Sequence, residues 1–299
     1  MTTVTRISTA QRYDSLLDAI QQNKGDVARA EAEIATGLKG DVFADSAGKS
    51  GLSLQLRGRK EVVDSYITTN AMVSARQETA ASLLGDIGDQ VSTVRNLLLQ
   101  TPVVQSTPGS VAEAARAALE NMVTALNTSF GGIYLFSGAA TDVPPYAAQA
   151  AGGYAYQGDT TGQLQAQIDD GVMVNIAPRG DAAALTATIA ALSALADADY
   201  AAMTPVDIAT FFAARLADLG TGIDGMLALE GALGNAQARV ANTIATQKVL
   251  SLRYNNTIIG LEGVDPEEAA LKLKEAQTRL DSTYAVTAQL ANLSLLNHI

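Results

Sequence analysis

"YDSLLDAIQQNKGDVARAEAEI", residues 13–34, decides the fold. Tyr13, Leu16, Ile20, Val27, Ala30 and Ile34 recur at steps of three and four, with Asn23 filling one step as a polar break. That spacing draws one narrow apolar stripe along a helix, as in a coiled-coil seam. A helix with so thin a stripe is not stable alone in water, because helical stability comes mostly from burying such a face. The stretch therefore demands a partner, and the far end of the chain offers one. Leu273, Ala276, Leu280, Thr283, Thr287, Leu290 and Ser294 repeat the same step, diluted by small and polar residues. Leu16, Ile20, Val27 and Ile34 at one end, with Leu273, Leu280 and Leu290 at the other, form the candidate assembly seam. The ends are expected to pair with each other and with neighbouring molecules.

Working inward, "TGLKGDVFADSAGKSG" (36–51) breaks the first helix with four glycines, and a second helix is predicted from Leu52 to Gln100. "TPVVQSTPGS" (101–110) reads as a loop. A third helix is predicted over Val111–Phe130, capped by Ser110 with Glu113 three residues on. The period changes from 3.6 to 2 in "QLQAQIDDGVMVNI" (163–176): Leu164, Ala166 and Ile168 alternate, Asp170-Gly171 signals a two-residue turn, and Val172, Val174 and Ile176 alternate on the return. Helix resumes over 181–198 and again over 204–220, where Thr204 caps, Pro205 takes the first helical position and Gly220 ends it. From Ile223 to Leu261 a longer helix carries Val240, Ile244, Tyr254, Ile258 and Leu261 on one seam, with Gln247 and Ser251 at its middle positions. Asp265 then caps the last helix, with Pro266 first and two glutamates near its positive end.

The pattern is mainly α: a long antiparallel helical bundle or coiled coil formed from both chain ends, with a small β-containing domain inserted in the middle. It divides as a terminal helix over 1–40, helical core over 41–135, a central insert over 136–220 with its hairpin at 163–177, helical core again over 221–262, and a second terminal helix over 263–299. The 299 residues allow roughly two domains. The composition agrees, since much of the 47% of hydrophobic residues is alanine and there are 5 Phe, 9 Tyr and no Trp.

Most chemistry is excluded. A net charge of −11 gives nothing to neutralise phosphates, so no nucleic-acid partner is expected. The absence of Cys removes thiolate catalysis and Cys-ligated metals. The single His, His298, sits next to last, where termini fray too readily for catalytic geometry. No phosphate-binding, dinucleotide, nucleophile-elbow or zinc-protease motif occurs. Asp169-Asp170 is read as turn chemistry, and Arg57, Arg59 and Lys60 as a solvated face or an ion pair between subunits. The expectation is no catalytic residue, no cofactor and no metal. No apolar run of 18 residues exists, so no membrane span is expected, and the first twenty residues lack the features of a cleaved secretion signal.

"GGIYLFSGAATDVPPY" (131–146) stands apart, because Tyr134, Phe136 and Tyr146 arrive together among Gly and Pro in an aromatic-poor chain. Tyr134 and Phe136 are two apart and would share a strand face, with Leu135 pointing away. Tyr134, Phe136 and Pro145 are the candidate anchor between insert and helices.

The ends resemble those of the bacterial flagellin family, over roughly residues 5–145 and 225–299. "AEIATGLKGDVFADSAGKSGLSLQLRGR" (32–59) is similar to its N-terminal signature at Thr36, Gly37 and Asp45, without the usual second Asp and following Pro. "LLGDIGDQVSTVRNLLLQ" (83–100) and the closing stretch from Ala245 resemble its other helical segments. Gly132, Tyr134, Leu135, Phe136, Gly138, Pro145 and Tyr146 resemble the pattern of the hook-associated protein 3 subfamily. The resemblance implies a structural, non-enzymatic component of the bacterial flagellum, secreted unfolded through the flagellar type III export apparatus to the extracellular flagellum. It implies self-assembly as a ring at the hook–filament junction, between flagellin and the other hook-associated junction protein, with an export chaperone on the C-terminal helix. A short flagellin that forms the filament itself shares every helical argument. A ligand-binding or enzymatic module in the insert would require converging polar side chains within 139–205.

Overall fold

The computed structural model describes residues 3–40, 50–100, 108–150 and 152–296, with the side chains of 3–10, 13 and 290–296 left aside. The chain is mainly α. Its elements are α1 (Thr3–Thr36), α2 (Ser50–Gln100), α3 (Pro108–Leu126), β1 (Ser129–Phe130), β2 (Ile133–Tyr134), β3 (Tyr146–Ala148), β4 (Tyr154–Tyr156), β5 (Gln165–Asp169), β6 (Val172–Asn175), α4 (Ala183–Asp197), a 3₁₀ turn (Tyr200–Ala202), α5 (Pro205–Glu262) and α6 (Pro266–Leu296). Two compact units result. One combines residues 1–62 with 250–299; the other is the continuous stretch 63–249.

The 63–249 unit holds most of the buried core. Along α2 the buried positions Val73, Ala80, Leu84, Ile87, Val91, Val94 and Leu98 keep the 3–4 step. On α5, Leu219, Met226, Leu233 and Val240 recur every seven residues. The Ala-rich α4 packs against α3 and also crosses α5 very closely. A β-carbon on Gly222 would lie 2.1 Å from the Thr188 hydroxyl, and one on Gly225 2.5 Å from the Ala184 methyl. Only glycine fits such an approach, and that is why alanine suffices on the facing helix.

These glycines also correct a boundary. The helix expected to stop at Gly220 runs unbroken from Pro205 to Glu262, since buried Leu219 and Met226 offset the modest helix cost of the glycines between them. Thr204 does cap it: its hydroxyl bonds Asp207 Oδ2 at 2.6 Å, and the Asp207 N–H reaches back to the Thr204 hydroxyl. The third helix begins at Pro108 rather than Val111 and ends at Leu126, because Ser129–Phe130 is drawn into strand pairing.

Among the described residues, three antiparallel two-stranded ribbons lie in this unit. β5 and β6 pair across the Asp170-Gly171 turn, with a bulge between Gln167 and Asp169. The bulge falls at Ile168, whose backbone carbonyl is met by two helical side chains: Asn70 Nδ2 at 2.7 Å and Gln247 Nε2 at 2.9 Å. Asn70 also donates to Gln247 Oε1 at 3.0 Å, and Gln77 Nε2 donates to the Asn175 carbonyl at 2.7 Å. All three amides are buried. They occupy seam positions where the neighbour is strand backbone instead of apolar side chain.

The stretch 131–146 ties the remaining ribbons together. Phe136 is completely buried and its carbonyl accepts from the Gly180 N–H at 2.7 Å and the Tyr156 hydroxyl at 3.1 Å. Tyr146 is buried edge-on to Tyr156, with ring centres 5.6 Å apart, and its hydroxyl donates to the Gly180 carbonyl at 2.7 Å. Burial raises both phenols, Tyr156 to about 12. Asn127 closes the base by bonding the Tyr146 N–H and C=O, each at 2.8 Å. The expected strand alternation does not hold. β2 ends at Tyr134 and the chain turns, so Leu135 is buried together with Phe136 while Tyr134 is only half-buried.

Two substitutions should weaken this unit in urea unfolding. Phe136→Ala should cost about 3–5 kcal/mol, the range for emptying a buried phenylalanine site. Asn70→Leu should cost about 1–3 kcal/mol by stripping a donor from the Ile168 carbonyl and Gln247.

Candidate assembly interface

α1 and α6 pack against each other in the unit made from both chain ends. Their partners run in opposite order: Asn23 bonds Thr283, Asp26 faces Arg279, and Leu38 bridges Gly263. The pair is therefore antiparallel. On α6, Ala269 and Ala276 are buried, and Leu273, Leu280, Thr283 and Thr287 half-buried, in an unbroken 3–4 step. On α1 the inward positions are Leu16, Ile20, Asn23, Val27 and Ala30. The polar break at Asn23 has its partner, since its amide donates to the Thr283 hydroxyl at 2.9 Å while that hydroxyl donates to the Arg279 carbonyl at 2.7 Å.

The seam departs from expectation at one end. Ile34 is 45% exposed, and Glu33 takes the inward position at 5%. Ala30 to Glu33 is a three-residue step where the strict repeat would need four. The reason is the helix end: Glu33 Oε1 accepts from the Gly40 N–H at 2.8 Å, so the carboxylate is turned toward the chain's exit. A similar shift opens α2, where Ser53 is buried and Leu52 exposed.

That exit is a built junction. Gly37 adopts φ 69° and its N–H bonds the Glu33 carbonyl at 2.8 Å, ending α1 with a left-handed cap. The chain then pairs with the break between α5 and α6: the Lys39 N–H bonds the Glu262 carbonyl at 2.8 Å, and the Val264 N–H bonds the Gly37 carbonyl at 3.0 Å. Pro266 has no N–H to offer Glu262, so Lys39 supplies the missing donor. Asp265 Oδ1 caps α6 by accepting from Glu267 N–H at 2.9 Å. The Glu262 carboxylate bonds the Ser53 hydroxyl and the Arg57 guanidinium, with Arg57 Nε at 3.0 Å. Arg57 thus forms an ion pair within the chain, where a solvated face or a contact between subunits was expected.

Of the sequence-derived seam, Leu16, Ile20, Val27, Leu273 and Leu280 come together, Ile34 faces outward, and the side chain of Leu290 lies outside the described residues, as does Asp45. Phe136 and Pro145 are buried within the 63–249 unit, with Tyr134 half-buried beside them. Sequence reasoning missed Glu33, Ser53 and Glu262. The signal for Glu262 was present, because an acidic residue at a helix C-terminus opposes the macrodipole and needs a cation. A second set of large apolar residues stays exposed on this unit: Leu17 and Ile34 on α1, Leu252 and Ile259 on α5, Leu271 and Val286 on α6. Among the described residues no cluster of three His, Cys, Asp or Glu is placed to hold a metal ion, and no helix is long and apolar enough to cross a membrane.

The bacterial flagellin N-terminal helical region matches residues 7–141, and the bacterial flagellin C-terminal helical region matches residues 216–299. No curated protein matches the chain significantly. Among solved structures, one described as a flagellar hook-associated protein from Vibrio parahaemolyticus is 13% identical, with a TM-score of 0.60 over 72% of this chain and 98% of its own. Flagellar hook-associated protein-3 from Legionella pneumophila is 11% identical, with a TM-score of 0.59 over 70% of this chain and 98% of its own. FlgL from Bacillus cereus is 18% identical, with a TM-score of 0.51 over 72% of this chain and 99% of its own. At these identities the shared property is the fold. The two terminal regions together take in well over half of the chain, and on that evidence it belongs to the bacterial flagellin family, whose members are structural proteins rather than enzymes.

Proposed function

We propose that this chain is a self-assembling axial subunit of the flagellum at the hook–filament junction. The observation that supports the reading best is the fold match over 98% of the length of two hook-associated proteins. The terminal pair fits the role physically. Its inner stripe is buried or half-buried within the chain, while Leu17 on α1, Leu252 and Ile259 on α5 and Leu271 on α6 remain exposed in the same unit. These residues are available for a neighbouring copy to bury. Copies arranged about a common axis would cover them and form a ring.

On this reading the subunit sits in the extracellular flagellum, between flagellin and the other hook-associated junction protein. It reaches that place unfolded, through the flagellar type III apparatus. The thin, Ala- and Thr-rich seam of α6 favours that route, because so little buried apolar area leaves the terminal helix easily separated. A cytoplasmic chaperone would cover the C-terminal helix before export.

Deleting the gene and imaging the cells tests the assignment. Hooks without filaments, with flagellin lost to the medium, are expected. Filaments of normal length would overturn it, and a loss of the filament material itself would make the chain a short flagellin. Leu280→Asp should abolish motility in a complemented strain by placing a charge on the half-buried seam. The 63–249 unit should keep its wild-type unfolding transition, since Leu280 lies outside it.

A further inference from the structure

Within the 63–249 unit α2 and α5 run antiparallel. Asn70 bonds Gln247, and toward the other end of α2 the Arg95 guanidinium lies against Gly220. Counted from the Asn70–Gln247 bond at the same rise per residue, Gly85 and Gly88 on α2 fall level with Gly231 and Gly234 on α5. Nothing in the structure requires glycine at these four positions. A β-carbon added at any of them meets no atom within 4 Å, and none adopts a positive φ. They differ in this from Gly222 and Gly225, which α4 crowds closely. The other glycines of α2 and α5 with open β-positions, Gly51, Gly58 and Gly260, belong to the other unit.

The same level separates two kinds of cover on α5. On one side α4 begins, where Ala184 meets Gly225 and Thr188 meets Gly222. On the other side the β5–β6 hairpin takes over: Arg239 reaches the Met173 carbonyl at 3.5 Å and Gln247 the Ile168 carbonyl at 2.9 Å. α2 changes cover in the same sense, since Asn70 and Gln77 bond the hairpin and Arg76 lies against the turn at Gly131. Gly231 and Gly234 lie between the last contact with α4 and the first with the hairpin. Their outward sides are exposed, while Leu84, Ile87 and Leu233 keep the inner faces buried.

Glycine weakens a helix relative to alanine by leaving its backbone freer in the alternatives to the helix, and bends in long helices gather at such residues. One weak point would only soften one helix. Four at a single level soften both, where the outer cover changes from helix to strand. We propose that this level is a bending waist, at which α2 and α5 flex together about their packed seam and the α4-covered half changes its angle to the hairpin-covered half. The proposal concerns the 63–249 unit alone and does not depend on the subunit's place in the flagellum.

The chain has no native cysteine, so spin labels can be placed cleanly on the full chain. Gln167→Cys on the hairpin with Asp197→Cys at the end of α4 reads across the waist. Asn121→Cys on α3 with Asp197→Cys stays on one side of it and serves as control. In wild type the cross-waist distance distribution should be clearly broader than the control. Replacing Gly85, Gly88, Gly231 and Gly234 together by Ala should at least halve that excess width and leave the control unchanged. Amide exchange over 83–92 and 229–238 should be faster than over 70–80 in wild type, and should slow roughly fourfold per replaced glycine, the scale of the glycine-to-alanine difference in a helix. Thermal stability rises with alanine whether or not the helices bend, so the width decides. If the four changes disturb the control pair, the two double variants, one for each helix, replace them and should each remove part of the excess. A cross-waist distribution as narrow as the control in wild type, or one equally broad after the alanine replacements, would overturn the waist.

Discussion

Each end of this chain carries a helix that cannot bury its own apolar stripe. α1 offers Leu16, Ile20, Val27 and Ala30; α6 offers Ala269, Leu273, Ala276 and Leu280. Neither stripe is wide enough to hold a helix in water by itself, so the two must meet. That single requirement brings the first and last parts of the sequence into one compact unit and leaves residues 63–249 to form the other. A flagellin-family chain is thereby organised around an association between elements more than 200 residues apart, reached only after everything between them has been made.

Polar residues within apolar stripes carry the specific information in this architecture. Asn23 meets Thr283, Asn70 and Gln247 meet the carbonyl freed by a strand bulge at Ile168, and Gln77 meets Asn175. Glu262 meets Ser53 and Arg57. Leucine at any of these positions would add apolar area but leave a buried donor or acceptor without its partner, and such a group costs more than a hydrogen bond returns. The apolar residues bring the helices together, and the polar ones select which segments face each other.

This division explains what could be read from the sequence. The stripes on α1, α2, α5 and α6 were legible because they follow a fixed period, and so was the Asp170-Gly171 turn, whose chemistry is local. The helical caps at Thr204 and Asp265 were legible for the same reason. What escaped was set by distant partners. Glu33 displaces Ile34 from the seam because Gly40 lies within its reach. Gly220 fails to end a helix because core residues on both sides hold it. β1 and β2, two residues each, carry too few positions to show a period. Leu135 is buried where alternation would expose it, because the chain turns after Tyr134. The seam residues of the candidate interface were largely visible; the junction at Glu262, assembled from three separate segments, was not.

Pairing of the two chain ends can be tested directly because the native sequence contains no cysteine. Ala30 and Ala276 are both buried on the seam and line one cleft with Asp26 and Arg279. With Ala30→Cys and Ala276→Cys in the same chain, mild oxidation of the dilute protein should give a monomer with an internal disulfide, seen as a compact band that reduction reverses. The control Ala32→Cys with Ala276→Cys, which moves the first thiol to an exposed face of α1, should remain reduced. If the seam pair stays reduced, or forms only cross-linked dimers, the ends do not pair within one chain and the account fails.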